Sequence, residues 1–270
     1  MDGNVLLAFL LTLFAGLATG VGSLIAFFTS RTNTKFLSLA LGFSAGVMIY
    51  VSLVEIFVKA KDELTTALGN TNGYWMTLAG FFGGMLLIAL IDKFIPKSKN
   101  PHEVRMVEDV DNVEAHLKDA DKLMKMGTFT ALAIAIHNFP EGIATFLSVL
   151  DDPSVGAAVA IAVAIHNIPE GIAVAIPIFY ATGVRAKAFK LSLFSGLAEP
   201  LGAVVAYLIL APFLTPVMFG VIFAGVAGIM VFISLDELLP AAKKYDETHL
   251  SIYGVVAGMA VMAISLVLLA

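Results

Sequence analysis

Eight stretches with few or no charged residues, each long enough to cross a bilayer, leave this chain little room for anything but a membrane fold. They run from Val5 to Phe28, Phe36 to Val58, Tyr74 to Ile91, Gly127 to Leu150, Val155 to Tyr180, Leu191 to Leu214, Val217 to Leu235 and Leu250 to Ala270. A hydrocarbon core takes about 20 consecutive apolar residues per helix, so eight spans consume most of the 270 residues. Apolar and polar residues do not alternate along these runs, and the runs are too long for barrel strands. They are therefore expected to be helices, which satisfy their own backbone groups in lipid. The expectation is an all-α integral membrane protein of eight transmembrane helices, with residues 1–270 as one domain and no separate soluble domain.

Composition narrows the chemistry. Hydrophobic residues make up 59% and charged residues 14% of the chain, and the mean hydropathy is +0.92. There is no cysteine, which excludes disulfides, thiolate metal sites and cysteine catalysis. A net charge of −5 lacks the dense basic face that a nucleic-acid partner needs. The first apolar run follows Asp2 with no basic segment before it and is too long for a signal-peptide core, so no cleavable leader is expected.

Fourteen of the sixteen Lys and Arg residues fall in the first, third, fifth and seventh connections, and only Lys59 and Lys61 fall on the other face. The positive-inside rule then makes the odd connections cytoplasmic and both termini extracytoplasmic. One connection is long. Residues 96–126 mix Lys97, Lys99, Arg105, Lys118, Lys122 and Lys125 with seven acidic residues, and read as a cytoplasmic solvated loop with partial helix between helices 3 and 4. Pairs of glycines four apart, such as Gly42 with Gly46 and Gly254 with Gly258, read as close helix packing. The eleven Met residues read as packing or lipid contacts rather than ligands.

Ionisable residues inside a span are costly and ask for a partner or a function. Four of them occur in two copies of one motif, His137-Asn138-Phe139-Pro140-Glu141-Gly142 and His166-Asn167-Ile168-Pro169-Glu170-Gly171, in consecutive spans. His and Glu four apart share one helix face, so each helix offers an imidazole and a carboxylate together. The Asn of each copy adds a carbonyl oxygen. Pro140 and Pro169 cannot donate the helical hydrogen bond, which frees the carbonyls of Ile136 and Ile165. Such irregularity in a membrane belongs beside a cavity.

The connection between the two motif helices is only Asp151-Asp152-Pro153, so they are antiparallel neighbours. Any register that keeps either the two histidines or the two glutamates level holds all four within about two turns, or roughly 12 Å. One metal ion, or two, fits such a cluster. Glu199, followed by Pro200, supplies another acidic residue near mid-membrane. Glu55 toward the outer end of its span, and Asp236 with Glu237 toward the inner end of theirs, are either interface residues or steps on an ion path. Asp92 beside Lys93 reads as an interface pair. His102, His116 and His249 fall in cytoplasmic connections and could sense metal, but three scattered histidines are a weak signal.

These residues resemble the ZIP family of divalent metal transporters, most closely its bacterial zinc-uptake branch. The two hexapeptides resemble the signature of that family's fourth and fifth helices, and Glu199-Pro200 the acidic position of its sixth. The resemblance covers the whole chain. It implies a binuclear site, with His137, Glu141, His166 and Glu170 around one ion and Asn138, Asn167, Glu199 and the shared Glu141 and Glu170 around the other. It also implies alternating access by an elevator-like movement of the central helices, and a homodimer. The loop lacks the histidine-rich run of many members, so loop-based zinc sensing is not expected.

The expected function is uptake of divalent metal into the cytoplasm across the cell membrane. Imidazole, carboxylate and amide ligands replace an ion's water shell yet let it go more readily than thiolates. Proton competition for imidazole weakens the site, since metal binds the neutral form. Such a ligand set suits Zn2+, with Fe2+, Mn2+, Co2+ and Cd2+ as further cargo, and no catalytic cofactor is expected. Two alternatives are efflux through the same ligands and an intramembrane metal-dependent hydrolase. The His-Glu-x-x-His order of zinc proteases and the Glu-x-x-His of di-iron bundles are both absent, which argues against an enzyme.

Overall fold

The computed structural model describes residues 2–28, 34–94, 113–210, 213, 215–244 and 249–269, and all secondary structure among them is helical. In chain order the elements are α1 (Asp2–Phe28), α2 (Thr34–Tyr50), a π-helical stretch Val51–Ile56, α3 (Phe57–Leu68), α4 (Asn70–Phe94), α5 (Val113–Asp151) and α6 (Pro153–Thr182). They continue as α7 (Arg185–Gly196), α8 (Ala198–Val205), a π-helical stretch Ala206–Leu210, α9 (Pro216–Ile233), a third π-helical stretch Ser234–Leu238, α10 (Leu239–Lys244) and α11 (Leu250–Leu269). Seven helical segments among the described residues are long and apolar enough to cross a membrane. The fourth apolar run of the sequence lies in α5, a helix of 39 residues.

The helices sort into two bundles. In the first, α1 packs on α5, α6, α7 and α8, and α5 packs on α6, α7 and α8. In the second, α2 packs on α11 and α10, and α3, α4 and α9 pack on one another. The bundles meet where α6 faces α2 and α11 and where α5 faces α9. Without a hydrophobic drive between helices in lipid, close backbone approach supplies the packing energy, and glycines supply the approach. A Cβ on Gly16 would overlap the Gly196 carbonyl, and one on Gly22 the carbonyl of Ile168. In the second bundle, Gly42 and Gly46 lie in the same way against the backbone of Ser251 and Val255, and Gly84 against Gly225. Every such glycine contact among the described residues stays inside one bundle.

Three features go beyond what the apolar runs imply. Residues 113–126, read as loop with partial helix, continue α5 without a break, while residues 95–112 of that loop lie outside the described residues. The sixth apolar run is broken at Leu197 into α7 and α8, because Pro200 cannot donate to the carbonyl four residues back and its ring crowds it. The second and seventh runs extend past their apolar ends, to Leu68 and Lys244, through the π-helical stretches that carry Glu55 and Asp236 with Glu237.

Candidate metal site

α5 and α6 form the antiparallel pair expected from their short connection. Asp152 caps α6, its Oδ1 accepting from the backbone N–H groups of Ser154 at 2.8 Å and Val155 at 3.1 Å, and Pro153 takes the first helical position, where no N–H is needed. Asp152 is thus the centre of the turn. Counting from it, His137 and His166 stand almost level, while Glu141 is nearer the turn and Glu170 further away. Each carboxylate is offset along the axis by three residues, about 5 Å, from the imidazole of the other copy.

The motifs consequently pair across helices. His137 Nε2 lies 3.2 Å from Glu170 Oε1 in a hydrogen bond, and His166 Nε2 lies 2.9 Å from Glu141 Oε1 without hydrogen-bond alignment. The two pairs stack along the helix axes, the Glu141–His166 pair nearer the turn and the His137–Glu170 pair about four residues deeper, or about 6 Å. All four side chains are buried, none more than 4% exposed.

Glu199 sits in the first turn of α8 and is fully buried. The break at Leu197 places it near a helix N-terminus, where backbone N–H groups favour negative charge. Its Oε1 accepts from Nδ2 of Asn167, and the same Nδ2 donates to the Ala15 carbonyl of α1 at 2.9 Å. Asn138 Nδ2 donates to the Ser195 carbonyl at 3.3 Å, in the last turn of α7 just before the break. Both amide groups are therefore held by their nitrogens, with Oδ1 of Asn138 and Oδ1 of Asn167 left unpartnered.

Those oxygens are part of a wider pattern. Thirteen buried side-chain polar atoms among the described residues have no hydrogen-bond partner, and nine belong to His137, Asn138, Glu141, His166, Asn167, Glu170 and Glu199. A native interior leaves few such groups, since each costs roughly 1–3 kcal/mol. Their concentration in one place makes this the candidate site of the molecule. Among the described residues no three His, Asp or Glu side chains are grouped to surround one ion; the four motif groups stand as two pairs.

The motif glycines have a separate task that sequence reasoning missed. A Cβ on Gly142 would overlap the Glu199 carbonyl of α8, and one on Gly171 the Thr19 carbonyl of α1. These two contacts bring α8 and α1 against the site. Ser44 of α2 donates to the His166 carbonyl at 3.2 Å, so the second bundle touches the site through a backbone atom.

The outlying carboxylates separate into two groups. Glu55, half-buried, lies within electrostatic reach of Lys59, Asp151 and Asp152 at the α5–α6 turn. Glu237, also half-buried, lies within reach of His137, Asp92, Glu170 and Asp236. Asp92 thus joins this second group rather than serving only Lys93. Glu55 and the Asp236–Glu237 pair lie in π-helical stretches, a departure from regular helix that is frequent at functional sites.

A family model described as ZIP Zinc transporter matches residues 95–266. The chain is 82% identical to "Zinc transporter ZupT" of Lysinibacillus sphaericus (strain C3-41), over 100% of each chain. It is 74% identical to the protein of the same name from Oceanobacillus iheyensis, over 99% of each chain. It is 61% identical to that of Nitratidesulfovibrio vulgaris, over 99% of this chain and 98% of the relative.

Proposed function

The chain belongs to the ZIP zinc transporter family, and from that premise we propose that it carries Zn2+, with Fe2+, Mn2+, Co2+ and Cd2+ as further cargo, into the cytoplasm by alternating access. It is a multi-pass membrane transporter and not an enzyme. The observation that carries the proposal is the crossed arrangement of two buried His–Glu pairs surrounded by unpartnered acceptors. Rotation of the Glu141 and Glu170 carboxylates away from their imidazoles turns the same atoms toward a shared ion. In that arrangement His137, Glu141, His166 and Glu170 hold one ion, and Asn138, Asn167, Glu199 and the shared glutamates hold a second. Both amides keep their nitrogens tied to backbone carbonyls, which leaves each Oδ1 to serve as a ligand.

Movement is supported by the distribution of glycines. Every proposed ligand lies on the first bundle, whose helices are locked to one another by backbone contacts at Gly16, Gly22, Gly142 and Gly171. No glycine contact among the described residues crosses to the second bundle, so the surface between them is held by side chains. We propose that the first bundle moves against the second as a body and carries the site with it. The eight-span order follows with α5 as the remaining span and both termini outside. The Lys59–Asp151 ion pair supports the order by bringing the second and fourth connections to the same face. The homodimer is proposed on the family resemblance, and thiol-free chemical crosslinking in the native membrane reads it.

The deciding experiment is metal flux into liposomes that contain only this protein, run with several divalent ions at two pH values. Inward zinc flux that disappears in Glu141→Ala is the expected result. Absence of flux for every ion, with the protein inserted, overturns the proposal, and metal-dependent loss rather than accumulation in cells turns it to efflux.

A further inference from the structure

Lys59 of α3 forms an ion pair with Asp151, the last residue of α5. α3 belongs to the second bundle and α5 to the first, so this contact ties one bundle to the other. It does so at the α5–α6 turn, the end of the site helices opposite Glu237. The lysine is 18% and the aspartate 42% exposed, which places the pair at the rim rather than in the interior. Glu55 lies one turn before Lys59 and within reach of both Asp151 and Asp152.

The choice of Asp151 has a local cause. Asp152 is occupied by the α6 cap, with its Oδ1 accepting two backbone N–H groups. Asp151 has no such task and takes the lysine. From this turn the site helix α5 leads inward through Thr145, one helical turn outward of Glu141 and on its face, whose buried hydroxyl has no partner.

We infer that the Lys59–Asp151 ion pair is a latch between the bundles that keeps the outer end of the cation route closed, and that it opens each time the site faces the outside. The inference rests on the reading that the two bundles move against each other. A tie of this kind suits the task. A half-exposed ion pair is weak enough to break in every cycle, yet it biases the two arrangements measurably. Arriving divalent cations favour opening, because they compete with Lys59 for the carboxylates of Glu55 and Asp151.

The test uses the absence of native cysteine. A single Thr145→Cys substitution in the full-length protein, reconstituted in liposomes, reports opening of the outer route through its reaction with an impermeant thiol reagent added on the outer side. Neutralising the latch by Lys59→Met, or separately by Asp151→Asn, is expected to raise the labelling rate roughly two- to five-fold, the range an exposed ion pair commands. Lys59→Arg should behave as the parent, and the swap Lys59→Glu with Asp151→Lys should return the rate toward it. High salt should narrow the difference. Equal rates in all variants overturn the latch, as does absence of labelling at position 145 throughout. Zinc flux is measured in the same vesicles: no flux in the parent defeats the transport reading itself, whereas normal flux with unchanged labelling defeats the latch alone.

Discussion

His137 and Glu170 sit 3.2 Å apart, Nε2 to Oε1, although each belongs to a different copy of the repeated hexapeptide. The mate of this contact joins His166 to Glu141 at 2.9 Å. Crossing follows from the turn at Asp152, which sets the two histidines nearly level and leaves each glutamate three residues along the axis from the other helix's imidazole. Neither helix holds a complete unit by itself, and a buried carboxylate deprived of its partner is an uncompensated charge.

Glu141→Ala and Glu170→Ala are each expected to abolish zinc flux while the protein stays folded in the membrane, because each carboxylate is proposed to touch both ions. Flux into liposomes at matched reconstitution, with circular dichroism to verify helix content, checks this. Normal flux in either variant removes that residue from the site.

His137→Ala should depress zinc transport more than manganese transport, since imidazole suits zinc and oxygen ligands suit manganese. Competition between the two ions in one flux assay gives the ratio directly. An unchanged zinc-to-manganese ratio argues against ligation by His137.

Gly171→Ala should act on packing rather than on ligands. Its new methyl group meets the Thr19 backbone carbonyl, an atom that a rotamer change cannot move. Overpacking of this kind costs about 1–3 kcal/mol, so a lower unfolding temperature in detergent is expected. Ala at Gly83, where a Cβ meets nothing within 4 Å, is the control and should leave it unchanged.

The orientation is open to single-cysteine labelling on intact spheroplasts. A cysteine added after Ala270 should react with an impermeant thiol reagent, and cysteines within residues 96–126 should not. The opposite pattern inverts the topology.

Much of the site was legible because its determinants are local. His and Glu four apart on a helix, repeated in the next span across a three-residue connection, specify helix faces and antiparallel neighbours without tertiary information. Glu199 was legible for the same reason, as a carboxylate in an apolar run beside Pro200. The break at Leu197 was not placed, since a proline announces irregularity but not which residue absorbs it. The crossed pairing depended on the turn centre, which the sequence left open over about four residues. The partners of Gly142 and Gly171 lie on helices remote in sequence, and no periodicity encodes them. The π-helical stretches at Val51–Ile56 and Ser234–Leu238 likewise left no signal that hydropathy reads, although the carboxylates inside them were visible. Asp92 reads from the sequence as an interface residue because Lys93 follows it; the structure adds a reach to Asp236 and Glu237.

The two peripheral groups should differ in kinetic role. Glu55 lies among Lys59, Asp151 and Asp152 at the α5–α6 turn, proposed to face outward, and a carboxylate at a mouth raises the local cation concentration and is screened by salt. Glu55→Gln should therefore raise the apparent KM several-fold, and the difference from the parent should shrink as ionic strength rises. On the other side, Asp236 is exposed while Glu237 is half-buried and within reach of His137 and Glu170. If the proposed cation route leaves on this side, Glu237 is the first carboxylate beyond the His137–Glu170 pair, so Glu237→Gln should lower the maximal rate more than Asp236→Asn does. Zinc flux measured against concentration, at low and high salt, separates KM from maximal rate for all three variants. Unchanged kinetics in all of them would return these carboxylates to the interface, and a larger effect at Asp236 than at Glu237 would reverse the order of the inner steps.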